Sequence, residues 1–441
     1  MRVTLGLGLG PRQSTSTSVS SLPLRTVVTQ NRVNSGAETR AGADSQITRY
    51  FYVIGQDCSS ISVSLNGWYQ AGSAGAGGEV NVPNTVHIQK ISAVYNSVNA
   101  PAAWAGSRTF NLTSGAVDQK SDEIAASAFG VPKFTKGDIL EIRCHSKVDT
   151  SGVGVIPYTV VKANDYTGQT QQVVWFLSSD YTVDNIDGTG AITFTGSGTL
   201  QTRTNGLRPM IWGRPISDEA SFVVVGDSIA ESVNDNLSYA AGASTVDPIR
   251  LHGAGYMQRA MRDTSNTVAS MKPCLNLARS SARSYDFIGS NVKSKQLYKY
   301  ARFGIDELGT NDPVAANLQT YLPTIWADMR NAGIEAIIRT KYGPKTMSTD
   351  SWATEVNQTY FDATWQSGGD IELMEAWFDT KLADHTVDYV LDTSSIRGTD
   401  PFKWKVDGVT VNYTAADTTH PSARGHEFLA INLRTILNLL S

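Results

Sequence analysis

Three short runs, far apart in the chain, carry residue types that could together transfer an acyl group. Gly226-Asp227-Ser228-Ile229-Ala230 offers a hydroxyl nucleophile, and Gly309-Thr310-Asn311-Asp312 offers a side-chain amide. Asp417-Thr418-Thr419-His420-Pro421-Ser422 sets an acid and a base three residues apart. A serine is a weak nucleophile until a neighbouring base takes its proton, and a carboxylate on the far ring nitrogen holds the imidazole in the correct tautomer. An amide aimed at the developing oxyanion would stabilise the tetrahedral intermediate. Each run taken alone also fits a plain structural role: a helix N-cap, a β-turn and a helix-capping segment. Their chemistry depends on being brought together.

The surrounding pattern supplies the means. From 221 onward, strand-like and helix-like stretches alternate. SFVVV (221–225) is a continuous β-branched run, as in a strand buried on both faces. PCLNLA (273–278), ARFGIDEL (301–308), EAIIRTKY (335–342) and VDYVLDT (387–393) follow as further strands. NLQTYLPTIWADMRNAG (317–333) reads as a helix ending at Gly333, and LAINLRTILNLL (429–440) as a closing amphipathic helix. Strands joined by helical crossovers predict an α/β fold with a doubly wound, parallel, five-stranded sheet and flanking helices. Ligands in such folds bind at the carboxyl ends of the strands. The first two polar runs directly follow predicted strands, and the third precedes the last helix.

Taken together, these runs resemble the SGNH (GDSL-type) hydrolase family, whose first block is Gly-Asp-Ser, third Gly-x-Asn-Asp and fifth Asp-x-x-His. The resemblance covers about residues 220–441. It implies Ser228 as nucleophile, His420 as base and Asp417 as its orienting acid. The oxyanion would be held by the backbone N–H of Ser228, the backbone N–H of the second block and the Asn311 side chain, with Asp227 and Gly309 in support. The second block departs from the family. Asn276-Leu277-Ala278-Arg279-Ser280-Ser281-Ala282-Arg283-Ser284 sets Ser281 where the family carries a glycine. The N–H survives this change, but a positive φ would strain serine. The family takes acetyl groups from polysaccharides, fatty acyl esters and thioesters. The resemblance therefore implies a serine esterase, with O-acetyl esters on carbohydrate favoured. The alternatives are a lipid or thioester acyl hydrolase and a catalytically silent glycan-binding or structural module.

The first half reads differently. ITRYFYVI (47–54), SISVSLNGWY (60–69), HIQKISAVY (87–95), DILEIRCHS (138–146), QQVVWFLS (171–178) and AITFTGSGTL (191–200) alternate with period two between turn residues. They predict an all-β sandwich or jelly-roll-like domain over 47–205, joined by a linker at 206–220 that contains Pro209, Gly213 and Pro215. Trp68, Trp104 and Trp175 would either fill its core or offer a sugar-stacking surface. Residues 1–46, with the run STSTSVSS at 14–21, read as a flexible arm. Arm and β domain together would also suit an oligomer or a larger assembly such as a virion appendage.

The chain of 441 residues is long enough for two domains. Its net charge of -4, with no block of like charges, argues against duplex nucleic acid. No run of 18 apolar residues is present to span a membrane. The Gly-interrupted start Met1–Pro11 does not read as a signal peptide, and an extracellular or virion-associated location suits the reading better than a cytoplasmic one. Cys58, Cys144 and Cys274 are too widely spaced for a zinc site. A Cys58–Cys144 disulfide is compatible with both lying in the first half, and Cys274 reads as a buried thiol. No HxxxH, HExxH or carboxylate cluster occurs, so neither metal nor cofactor is implied. His87, His145, His252, His385 and His426 have no partner at ligand spacing. Arg279 and Arg283 flank the second block and could meet an acidic substrate or lie solvated.

Overall fold

The structure is a computed structural model that describes residues 22–71, 78–160, 172–203, 205–233, 235, 255–262, 270–289, 292–407 and 413–440. The apolar run 221–225 forms the strand Phe222–Val225, buried on both faces. Parallel neighbours flank it on each side: Cys274–Asn276 on one, Phe303–Asp306 on the other. Ala336–Thr340 and then Tyr389–Leu391 extend the sheet beyond Phe303–Asp306. The helices are α1 (Ser228–Glu231), α2 (Gly255–Arg262), α3 (Ala315–Asn331), α4 (Asp370–Ala383) and α5 (Ala423–Leu437). They divide between two apolar clusters. Leu318, Leu322 and Trp326 of α3 pack with Met374 and Phe378 of α4, whereas Tyr256 and Met257 of α2 pack with Leu429 and Leu433 of α5. The C-terminal chemistry therefore sits on a sheet covered by helices, with its strands ending at a common rim.

That sheet has six strands, not five. Asn31–Arg32 adds in parallel to the outer side of Cys274–Asn276. It comes from the segment expected to be a flexible arm. Residues 22–46 are placed in the fold; residues 1–21 lie outside the described residues. The polar composition was misleading because these side chains bond to buried backbone groups instead of water. Asn31 Nδ2 donates to the Ile211 carbonyl at 2.5 Å, and its Oδ1 accepts from Ile211 N–H at 2.8 Å. Asn34 Oδ1 accepts from Arg208 N–H, and the Arg208 guanidinium donates to the Gln30 carbonyl. Val27 and Val28 beside them are fully buried.

The expected linker also differs. Within 206–220, Met210–Pro215 is a strand paired antiparallel with Cys58–Leu65, and Arg25–Thr26 pairs with its other edge. Pro209 precedes this strand and Pro215 ends it, where a missing N–H costs little. Gly213 lies so close to Ser60 O and Val27 that a Cβ would collide with both. A second antiparallel sheet contains Phe110–Leu112, Val86–Tyr95, Ile139–Lys147, Ser45–Val53, Gln172–Phe176 and Gln201–Arg203 in that order. Ile61 and Val63 of the first sheet share an apolar core with Tyr50, Tyr52, Ile91 and Ile142 of the second. Trp68 and Trp175 are fully buried, which removes them as a sugar-stacking surface. Trp104 is part-buried and stacks on Phe110. Cys58 and Cys144 are both free thiols in the core, with no disulfide between them, and Cys274 is buried at the head of its strand.

Side chains of the two parts of the chain meet directly. The Trp212 indole stacks on the Tyr300 ring with centroids 4.1 Å apart, and its Nε1–H donates to Asp118 at 2.9 Å. Val33, Trp68, Met210 and Trp212 belong to the same apolar cluster as Val223, Leu275 and Leu297. Replacing Asn31 by alanine would strand the N–H and C=O of Ile211, each costing roughly 1–3 kcal/mol when buried and unmade. Asn31→Ala is therefore expected to lose about 2–4 kcal/mol in denaturant unfolding. A loss below about 0.5 kcal/mol, typical of a surface change, would contradict this account of the sixth strand.

Candidate active site

Ser228 opens α1 immediately beyond the end of Phe222–Val225. Asp227 caps that turn by accepting from Ile229 N–H at 2.9 Å, which fixes the hydroxyl over the sheet end. His420 reaches the same place from a tight loop. Ala416 and Thr418 adopt left-handed backbone there, Ala415 N–H donates to the His420 carbonyl, and Thr414 bridges to Pro421. Ser422 then caps α5.

Ser228 Oγ and His420 Nε2 lie 2.8 Å apart, and His420 Nδ1 lies 2.6 Å from Asp417 Oδ2. A carboxylate only accepts, so Nδ1 carries the proton and Nε2 is left to receive one from the serine. Asp417 also accepts from the N–H of His420 at 2.9 Å and of Thr419 at 3.2 Å. Burial opposes ionisation of Asp417, but these hydrogen bonds and the nearby imidazole outweigh it and hold the carboxyl below its usual range.

The second and third runs are tied together. Asn311 Nδ2 donates to the Ala282 carbonyl at 3.0 Å, and Ser284 N–H donates to Asp312 Oδ2 at 2.9 Å. Ser281 lies in the turn between them with φ +61°, the left-handed conformation that the missing glycine would have favoured. Gly309 has φ +120°, and a Cβ there would strike the Tyr342 hydroxyl. Below this loop, the fully buried Arg339 pairs with Asp306 at 3.1 Å and donates to the Leu308 carbonyl at 2.6 Å. The loop carrying Asn311 is thus fixed from beneath.

The remaining candidates lie elsewhere. His426 is buried. Its Nδ1 accepts from Tyr256 N–H and its Nε2 faces the Val233 carbonyl, so it fastens α5 to α2 as a neutral ring, and burial lowers its pKa to about 4. His87 sits between Asn111 and Asp149 in the β half, and burial lowers His145 to about 4. His385 is exposed with φ +61°, and His252 falls outside the described residues. Arg279 is buried against Asp286 at 2.8 Å and so is spent within the protein; Arg283 lies over the Tyr285 ring. Among the described residues, no group of three or more His, Cys, Asp or Glu could hold a metal ion. No helix among them is long and apolar enough to cross a membrane.

Two carboxylates were missed. Glu307 follows the strand Phe303–Asp306 and accepts from Asp227 N–H at 3.0 Å, directly under the turn that carries Ser228. Glu231 ends α1, within reach of Arg32 and Ser280. The only hint for Glu307 was a second acid beside Asp306 at a strand end; nothing in the sequence pointed Glu231 toward residue 280. Burial raises Asp227 to about 6, and burial with the neighbouring Asp227 charge raises Glu307 well above the usual carboxyl value. Both groups bind protons more tightly folded than unfolded.

No protein-family model and no curated protein matches the sequence. Solved structures similar to it include a GDSL-like lipase from Bacteroides ovatus, 11% identical, covering 91% of this chain and 85% of that one at TM-score 0.31. A carbohydrate esterase family 3 protein from Talaromyces cellulolyticus is 16% identical and covers 50% of this chain and 97% of its own at TM-score 0.29. The salicylyl-acyltransferase SsfX3 from a tetracycline biosynthetic pathway is 14% identical, covering 96% and 97% at TM-score 0.32. Likenesses at these scores assign no activity.

Two outcomes are expected. Because Asp227 and Glu307 take up protons on folding, stability falls as pH rises from about 4 through about 6 and beyond. Glu307→Gln keeps an acceptor for Asp227 N–H and removes the charge. It should raise the melting temperature more at pH 8 than at pH 5, and an equal shift at both would contradict the pairing. Ser281→Gly should not show the loss of about 0.5–1 kcal/mol usual for glycine, because it relieves a left-handed serine that costs roughly 1–2 kcal/mol. Chemical denaturation of the two proteins measures the difference.

Proposed function

We propose that residues 221–441, completed by the strand Asn31–Arg32, form a serine esterase of the SGNH kind. It hydrolyses short acyl esters, above all O-acetyl groups on carbohydrate. The observation that carries this reading is the 2.8 Å approach of Ser228 Oγ to His420 Nε2, with Asp417 on the other ring nitrogen.

In this mechanism Ser228 Oγ attacks the ester carbonyl as its proton passes to His420 Nε2. Asp417 stabilises the imidazolium without taking the proton. The carbonyl π electrons move onto oxygen, and collapse of the tetrahedral intermediate expels the alcohol, which takes the proton from His420. Water then attacks the acyl-serine as its proton passes to His420, and His420 returns that proton to Ser228 Oγ as the acid leaves. The oxyanion is held by the N–H groups of Ser228 and Ser281 and by Asn311. The Asn311 amide has two N–H bonds and donates one to Ala282, leaving the other for substrate. Asp227 and Gly309 support these groups through the cap on α1 and the close approach to Tyr342.

Residues 47–205 serve in this reading as an accessory β-sandwich, either presenting glycan to the site or joining the protein to a larger assembly. Part-buried Trp104 on Phe110 is the aromatic pair left to meet a sugar.

Ser228→Ala is expected to lower turnover of p-nitrophenyl acetate by about 10⁴-fold or more with an unchanged melting temperature. Asn311→Ala should lower kcat by about 10²–10³-fold. Acetate release from acetylated glycans should exceed cleavage of long-chain p-nitrophenyl esters. Preference for the long chains would favour a lipase, and full activity in Ser228→Ala would end the esterase reading.

A further inference from the structure

We propose that Glu231, braced by Arg32 of the N-terminal segment, is a positioning residue that holds the 280–282 turn so that the Ser281 N–H points at the oxyanion. The inference rests on the esterase reading above and adds a part of the chain that reading does not need.

The contacts run in an unbroken series. Glu231 is the last residue of α1, one turn beyond Ser228, so its backbone moves with the nucleophile. Its Oε2 accepts from both the N–H and the Oγ of Ser280, the second at 2.6 Å. Its Oε1 accepts from Arg32 at 3.0 Å, and both side chains are largely shielded from water. Arg32 is itself fixed, because it pairs with Asn276 in the sixth strand of the sheet. Beyond Ser280 comes Ser281 with φ +61°, and beyond that Ala282, whose carbonyl receives the Asn311 amide. One carboxylate thus links the nucleophile helix to a turn that touches both remaining oxyanion donors.

Such a link has a physical purpose. A serine in left-handed backbone is held there only if its surroundings over-determine it. Where glycine would adopt the conformation freely, Ser281 needs its neighbours clamped, and the doubly bonded Ser280 is that clamp. The carboxylate can accept from both Ser280 groups and from Arg32 at once because an ionised acid has about four acceptor positions. The ion pair with Arg32 restrains its rotation. Arg32 would thereby make the N-terminal segment part of the catalytic apparatus without touching substrate.

The test uses the full chain, with p-nitrophenyl acetate as substrate and phenylboronic acid as a probe that forms a tetrahedral adduct on an activated serine. Glu231→Ala should lower kcat by about ten- to a hundredfold, as expected for a slightly misplaced donor, while KM changes by less than about threefold. Its affinity for phenylboronic acid should fall in step with kcat/KM. Arg32→Gln should act in the same direction more weakly, and Arg32→Lys should recover most of the loss. Arg32→Gln placed on Glu231→Ala should cost nothing further, since both act through one contact. A merely structural role would lower the melting temperature but leave kcat of the folded enzyme intact. A folded Glu231→Ala with kcat within twofold of wild type would overturn the proposal, as would fully additive losses. If Glu231→Ala does not fold, Arg32→Gln and Ser280→Ala carry the same comparison. An inert wild type would instead remove the esterase reading itself, an outcome distinct from an active enzyme indifferent to these changes.

Discussion

The geometry of the site depends on one carboxylate meeting three parts of the chain. Glu231 stands between α1, the 280–282 turn and the strand Asn31–Arg32. A hydrogen bond to a charged acceptor is stronger than a neutral one, and one end of this arrangement is anchored in a sheet. Ser228 and the turn opposite it are thus held by bonds within the protein. On the other side of Ser228, the loop 414–421 brings His420 in at hydrogen-bond distance and is pinned by Thr346 N–H donating to the Thr418 carbonyl. Ser228 is therefore approached by fixed elements from both sides, which is what preorganisation requires.

Beneath the rim, charge is handled in two ways. Arg339 and Asp306 are paired and fully buried, and Trp326 Nε1–H satisfies the remaining Asp306 oxygen at 2.7 Å. Such a buried pair adds little net stability, but it fixes the loop that carries Asn311. Asp227 and Glu307 are also buried, and burial makes both hold protons more tightly. The floor under Ser228 is thus less negative than its composition suggests. In the proposed mechanism that matters, because a fixed negative charge would repel the oxyanion.

Much of this was legible in the residues. The apolar run at 221–225 gave a strand buried on both faces, and Cys274–Asn276, Phe303–Asp306, Ala336–Thr340 and Tyr389–Leu391 fall inside the runs expected to be strands. The place of Ser228 followed from where the strand Phe222–Val225 ends, whereas bringing His420 and Asp417 to it came from the resemblance of the three runs to one family. What composition hid was the role of polar residues turned inward. Asn31, Asn34 and Arg208 read as solvated, yet they satisfy backbone groups in the interior, so a supposed arm became three short strands, Arg25–Thr26, Asn31–Arg32 and Gly36–Glu38, and a supposed linker became another. Side-chain direction was equally invisible. Trp68 and Trp175 point into the core, and Glu231 points across the site toward Ser280. Spacing along a chain reports periodicity, but it does not report which distant backbone a polar group will find.

The sixth strand also bears on how the molecule comes to be made. Asn31 is synthesised well before its ladder partner Leu275. Until then that strand lacks its ladder partner, although the Asn31 side chain can already meet Thr26 and, once it is made, Ile211. Closing such a distant pairing carries the loop entropy of everything between, the feature that makes high contact order slow. The C-terminal sheet consequently cannot finish assembling as an autonomous unit during translation. One of its ladders forms only when the segment carrying Asn31 is brought back to it.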